Sequence, residues 1–247
     1  MDDVTVQFFR EDNLQADIFI EGLPGIGQVG KLVAEHMIRE LGAEKVAEIH
    51  STYFPPQVFI ENDGNIRMAN NEVYRFDGAR RIAFLIGDHQ STSNRGHYVL
   101  TEKYLDIVER LGAQRIYALG GFGVGHLVED PRVFSAVNKP SLRSQVEEAG
   151  GTFEREDPVN GIVGAAGLLL GLGARRGIEG VCLMGETSGY IVDPKSAQGV
   201  LSVLSRLIGL HVDTRLLHER AIEMEQVIAH LQEAERLKSD EELRYIG

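Results

Sequence analysis

The chain has 247 residues, 43% of them apolar and 25% charged, which is enough to bury a core without disulfides or a structural metal. Its 25 basic and 37 acidic residues leave a net charge of −12, which repels phosphate backbones and argues against nucleic-acid binding. The single cysteine, Cys182, lies in the apolar run Val181-Cys182-Leu183-Met184 and cannot close an internal disulfide, so a reducing, cytoplasmic setting is expected.

The first residues, Met1-Asp2-Asp3, are acidic where a signal peptide would be basic. The longest uncharged apolar stretch, 162–174, is interrupted by glycines and falls short of the ~20 residues that span a bilayer, so no membrane association is expected. Short β-branched or apolar runs read as strands at 4–9, 17–21, 45–49, 57–60, 73–76, 82–86, 115–119, 132–137 and 180–184. Helical spacing appears between them. In 28–41 it sets Val29, Leu32, Val33, His36, Met37 and Leu41 on one side, and 98–111 repeats it before Gly112; 141–149, 160–174 and 196–208 complete the set. Strands alternating with amphipathic helices predict an α/β fold, a mostly parallel sheet flanked by helices. The stretch 53–76, with the turn Asn62-Asp63-Gly64-Asn65, breaks the rhythm and predicts an inserted antiparallel hairpin.

Within 160–174, Gly161, Gly164, Gly167 and Gly171 fall on one helical stripe. Each costs a helix about 1 kcal/mol relative to alanine, so close approach of the backbone to the sheet or to another chain is expected. Residues 213–238 contain no Gly or Pro, and Leu217, Ala221, Met224, Ile228 and Leu231 recur at intervals of four and three. That spacing predicts a helical arm, either a short coiled coil or an amphipathic helix packed on its own domain. The expected organisation is an α/β domain over 1–212, the arm over 213–238 and a flexible tail over 239–247.

The first glycine turn, Gly25-Ile26-Gly27-Gln28-Val29-Gly30, satisfies the dinucleotide fingerprint G-x-G-x-x-G. Three details oppose that reading. Gly22-Leu23-Pro24 separates the glycines from the strand, Glu48 lies inside the next strand instead of at its tip, and Leu32 replaces the Ser or Thr that a P-loop needs after Lys31. A tight strand-to-helix turn is the preferred reading. The alternative is a nucleotide- or phosphometabolite-binding enzyme or sensor using Gly25, Gly27, Gly30 and Lys31. Further turns are expected at Gly87-Asp88-His89-Gln90, Gly120–Gly125 and Gly185–Gly189. If these converge at the C-terminal edge of a parallel sheet, they bring Asp88, Gln90 and Glu186 together for acid–base work or for holding a cation. Otherwise the two carboxylates brace turns. No G-x-S-x-G, H-E-x-x-H or C-x-x-C pattern is present, so no catalytic residue, metal site or cofactor is expected.

Taken in order, Gly22–Gly30, Gly87-Asp88-His89-Gln90, Gly161–Leu169, Gly185-Glu186-Thr187 and Asp193-Pro194-Lys195-Ser196-Ala197 resemble the proteasome assembly chaperone family, in its archaeal branch. The resemblance runs from about Asp17 to Ile208. It implies a phosphorylase/hydrolase-like α/β domain, a homo-oligomer without established catalytic activity, and proteasome α-subunits or the α-ring as partner. It also implies docking through a C-terminal tail with a penultimate tyrosine. Here Tyr245 is third from the end and Ile246 takes the penultimate place, so Leu243, Tyr245, Ile246 and Gly247 are the expected docking residues in a shifted register.

Overall fold

The structure, a computed structural model, describes residues 3–10, 14–154, 161–224 and 226–227. An eight-stranded sheet forms its centre. The strands are β1 (Val4–Phe8), β2 (Ile18–Glu21), β3 (Glu44–Ser51), β6 (Asn71–Asp77), β7 (Arg81–Gly87), β8 (Arg115–Gly123), β9 (Val133–Val137) and β10 (Glu179–Thr187), in the order β1-β3-β6-β7-β2-β8-β10-β9. Strands β4 (Val58–Ile60) and β5 (Ile66–Met68) form a separate two-stranded antiparallel ribbon, the inserted hairpin that the 62–65 turn predicts.

Only the middle of the sheet, β7-β2-β8-β10, is parallel. The flanks β1, β3, β6 and β9 pair antiparallel, so the sheet is mixed and not mostly parallel as expected. The reason is connectivity. β6 and β7 are joined by a tight turn, which forces antiparallel pairing, whereas β7 and β8 are joined across a helix. Burial follows the same division. All four residues of β2 are buried, as are Ile82–Gly87 of β7, while the edge strand β1 alternates.

Helices α1 (Val29–Leu41), α3 (Arg143–Glu148) and α5 (Pro194–Ile208) supply the apolar layer on one face of the sheet, through Val33, Met37, Val146, Val200 and Leu204. Helices α2 (Asn94–Leu111) and α4 (Ala165–Arg175) cover the other through Leu100, Tyr104, Leu105 and Leu169. The caps are local in origin. Ser93 accepts a hydrogen bond from Gly96 N at the start of α2, and Asp193 accepts one from Ser196 N at the start of α5, with Pro194 in the first turn. The fifth motif of the sequence, Asp193–Ala197, is therefore a helix start. Among the described residues no helix is long and apolar enough to cross a membrane.

Two readings of glycine need correction. Gly120–Gly123 and Gly185 do not form turns; they continue β8 and β10, which pair in parallel from Glu179↔Arg115 to Thr187↔Gly123. A parallel ladder satisfies the backbone whatever the side chain, and the absent side chains let neighbours close in: a Cβ on Gly121 would stand 2.3 Å from Ile26 O. The glycine stripe is also not a stripe. Helix α4 begins only at Ala165, with Gly164 as its cap at φ 93, so Gly161 and Gly164 precede the helix. Gly167 packs on Ile162 O, but a Cβ on Gly171 would meet nothing within 4 Å.

Residues 215–224 are helical, and Leu217 and Ala221 are buried, Leu217 within the α1/α5 layer. His36 on α1 hydrogen-bonds the Asp213 carbonyl beside them. Ile228 and Leu231, the remaining positions of the expected heptad pattern, lie outside the described residues, as does the tail with Leu243, Tyr245, Ile246 and Gly247.

Candidate functional site

The parallel strands end along one edge, β7 at Gly87, β2 at Glu21, β8 at Gly123 and β10 at Thr187. From β2 the chain passes into α1 on one face, and from β7 into α2 on the other. Open α/β sheets form ligand crevices where adjacent strands diverge in this way. A cavity of about 560 Å³ lies on that edge. Its walls are Glu21 and the 23–26 loop, Gln90 with Ser91 and His97, the strand end Leu119–Gly123, residues 161–164 with Ala166, and Met184.

The glycine turn beside it is explained by packing. Gly27 has φ 61 and Gln28 φ 54, two successive left-handed residues that reverse the chain into α1. A Cβ on Gly30 would stand 2.2 Å from Leu119 O, so the fingerprint spacing lets the start of α1 lie directly on β8. Gly25 borders the 560 Å³ cavity. Lys31 pairs with Glu35 at 3.7 Å and lines a separate cavity of about 330 Å³ with Asp88.

Asp88, Gln90 and Glu186 do not share one of these cavities: Gln90 borders the larger, Asp88 the smaller and Glu186 neither. Asp88 accepts from Arg67 through both oxygens (2.5 and 3.0 Å) and from Asn70 N (3.1 Å), and Glu61 accepts from the same arginine at 2.6 Å. Burial would raise the Asp88 carboxyl, but the Arg67 and Asn70 hydrogen bonds outweigh it and hold it below the usual range. Glu186 accepts from Arg132 Nη2 (3.1 Å), Nε (3.2 Å) and backbone N (3.2 Å). Its carboxyl is likewise lowered, the Arg132 bonds overcoming the effect of burial. Both carboxylates brace neighbouring segments. Gln90 is a tie as well: it donates to Pro24 O (2.8 Å) and accepts from Ala165 N (3.0 Å), joining two walls of the cavity. With His89 bonded to Gln57 at 2.6 Å, the Gly87–Gln90 motif fastens the ribbon, the 23–26 loop and α4 to the end of β7.

Glu21 has no such cation. It is 1% exposed, its Oε1 accepts from Leu23 N at 3.0 Å, and its Oε2 has no partner among the described residues. Burial pushes this carboxyl up to about 8 against the single Leu23 hydrogen bond. Reading the sequence by motif missed it. The available signal was an acid closing the wholly apolar strand Ile18-Phe19-Ile20 on the edge where crevices form. Among the described residues, no group of three or more His, Cys, Asp or Glu is placed to hold a metal ion.

The family profile described as PAC2 matches residues 19–232. The chain belongs to the PAC2 family. The resemblance carried by the five ordered motifs is thereby borne out, and the PAC2 match covers the whole sheet except β1 and Ile18 of β2. An uncharacterized protein of Methanocaldococcus jannaschii is 40% identical over 243 residues, covering 95% of this chain and 93% of its own length. The crystal structure of Pyrococcus furiosus PbaB, described as an archaeal proteasome activator, superposes with a TM-score of 0.89 at 39% identity, covering 94% of this chain and 100% of that one. Pyrococcus furiosus PbaA, described as an archaeal homolog of proteasome-assembly chaperone, shares the fold at a TM-score of 0.79 and 24% identity, covering 99% and 98%.

Proposed function

We propose that this PAC2 protein binds the proteasome as an assembly chaperone or activator-like adaptor, docking on α-subunits of the ring through Leu243, Tyr245, Ile246 and Gly247. The observation that carries the reading is 39% identity, over nearly the full length of both chains, to a protein described as a proteasome activator. Bulky Leu243, Tyr245 and Ile246 follow the charged segment Ser239-Asp240-Glu241-Glu242, a pattern suited to an extended peptide entering a pocket. In this reading the protein is a cytoplasmic homo-oligomer that uses no cofactor, catalyses no reaction and engages neither nucleic acid nor membrane. The carboxylates Asp88 and Glu186, each held by an arginine, suit a structural role better than acid–base work.

Surface plasmon resonance against purified α-rings tests it. Deleting 243–247 should abolish binding without changing the melting temperature, and Tyr245→Ala should weaken binding by about 2 kcal/mol or more. Equal affinity of intact and truncated protein would refute tail docking. It would move the contact to the folded body, where Val58, Ile60, Ile66 and Met68 lie exposed on the ribbon.

A further inference from the structure

The 560 Å³ cavity has the size of a small-molecule site, and its walls are mainly apolar side chains and glycine backbone. Two residues of its wall have side chains with unused hydrogen-bonding capacity among the described residues. One is Glu21, whose Oε2 is buried without a partner. The other is His97 on α2, whose ring makes no hydrogen bond among the described residues. A buried polar atom left unsatisfied costs free energy, and such atoms are few in folded proteins. An orphan carboxyl oxygen in the wall of a cavity is therefore a group set up for something that enters.

Gly120 supports the same conclusion independently. It sits in β8 opposite Met184, with a backbone open to any residue. A Cβ there would meet only Met184 Cγ at 3.9 Å. Gly30 and Gly121 are required by backbone atoms that crowd them, but nothing in the packing of the described residues requires a glycine at 120. What its missing side chain preserves is the cavity.

We propose that this cavity binds a compact, uncharged, largely apolar molecule that presents one hydrogen-bond acceptor, a ring nitrogen or carbonyl oxygen, to the Glu21 carboxyl. Apolar Phe122, Ile162 and Met184 would cover the body of the ligand, and His97 would meet its second polar edge. A carboxyl this deeply buried is protonated at neutral pH and donates from Oε2, which selects acceptors and rejects anions. Phosphorylated ligands are accordingly the wrong class for this cavity. The site stands apart from ring docking, and either can fail without the other.

Ligand-observed NMR on the full chain at pH 7 tests this with isoquinoline and 2-pyridone, which carry an acceptor, and naphthalene, which does not. The acceptor probes should bind saturably and at least tenfold more tightly than naphthalene. Gly120→Val, which projects three carbons into the cavity, should weaken them at least tenfold at an unchanged melting temperature. Glu21→Gln, which keeps a neutral donor, should retain them, while Glu21→Leu should not. Should a Glu21 variant fail to fold, Gly120→Val and the naphthalene comparison still decide. Failure of both acceptor probes to saturate by millimolar concentration would overturn the proposal. So would binding indifferent to Gly120→Val, or naphthalene binding as tightly as isoquinoline.

Discussion

Glu21 and Glu186 stand on the same edge of one sheet, separated by a single strand, yet they are opposites. Glu186 is clasped by the Arg132 side chain and backbone, and its carboxyl is lowered. Among the described residues Glu21 keeps one backbone hydrogen bond and no cation, and its carboxyl is raised to about 8. Position at a strand end nominates a carboxylate for function, but the partner decides what it is. A paired acid holds two segments together, whereas an unpaired one facing a cavity is available to a ligand. The same contrast separates Gly30, pressed on a carbonyl oxygen, from Gly120, whose Cβ would make only an ordinary contact with Met184.

The sharpest way to break the contrast is pH. Glu21 binds a proton more tightly folded than unfolded, so its contribution favours the folded state at low pH and is lost as pH rises from about 4.5 to about 8. The shift amounts to on the order of 5 kcal/mol across that window. Denaturant titrations from pH 5 to 9 should show the fall, and Glu21→Gln should flatten it. A wild-type slope that survives in Glu21→Gln would mean that another group carries it. Glu186 and Asp88 act with the opposite sign, their stabilisation present above the unfolded carboxylate range and lost only in acid below about pH 4.

Gly30→Ala should come next, at about 3 kcal/mol, because the new Cβ would strike Leu119 O and backbone cannot yield cheaply. Gly120→Ala on the same strand should cost less than ~0.5 kcal/mol. Equal losses at the two positions would show that Gly120 is also a packing glycine. Glu186→Ala should cost about 2 kcal/mol by removing the acceptor for Arg132 backbone and side chain, measured by chemical denaturation at pH 7. Asp88→Asn should have the smallest effect, about 1 kcal/mol, because an amide can still accept from Arg67 or Asn70.

Much of the fold is written locally. The alternation of strands and helices, the 62–65 turn and the glycine that closes α2 are each set by neighbours in sequence. The sheet order is not, because β2 is inserted between β7 and β8 by pairings with strands 60 or more residues away. Whether Gly120–Gly123 turn or continue β8 depends on β10, which no local pattern reveals. The site was legible only in part. Gly25 and Gln90 do border the cavity, but glycine drew attention to the turn while the informative residue was the acid just before it. What set Glu21 apart from Glu186 was the absence of an arginine, and Arg132 is 54 residues from the acid it pairs with.

The seating of Leu217 has a mechanical consequence. Its side chain is fully buried in the same layer as α1 and α5, and Ala221 one turn later is 5% exposed. The helix at 215–224 is therefore fixed to the domain and not free to swivel. A load applied to the segment beyond residue 221 is transmitted to the core, and Leu217→Ala, by opening a cavity worth roughly 2–5 kcal/mol, would loosen both at once. A partner that grips that segment and favours the seated helix would, by mass action, stabilise the sheet some distance from where it binds. Capture of a segment continuous with this helix and stability of the folded body would then be thermodynamically linked through one leucine.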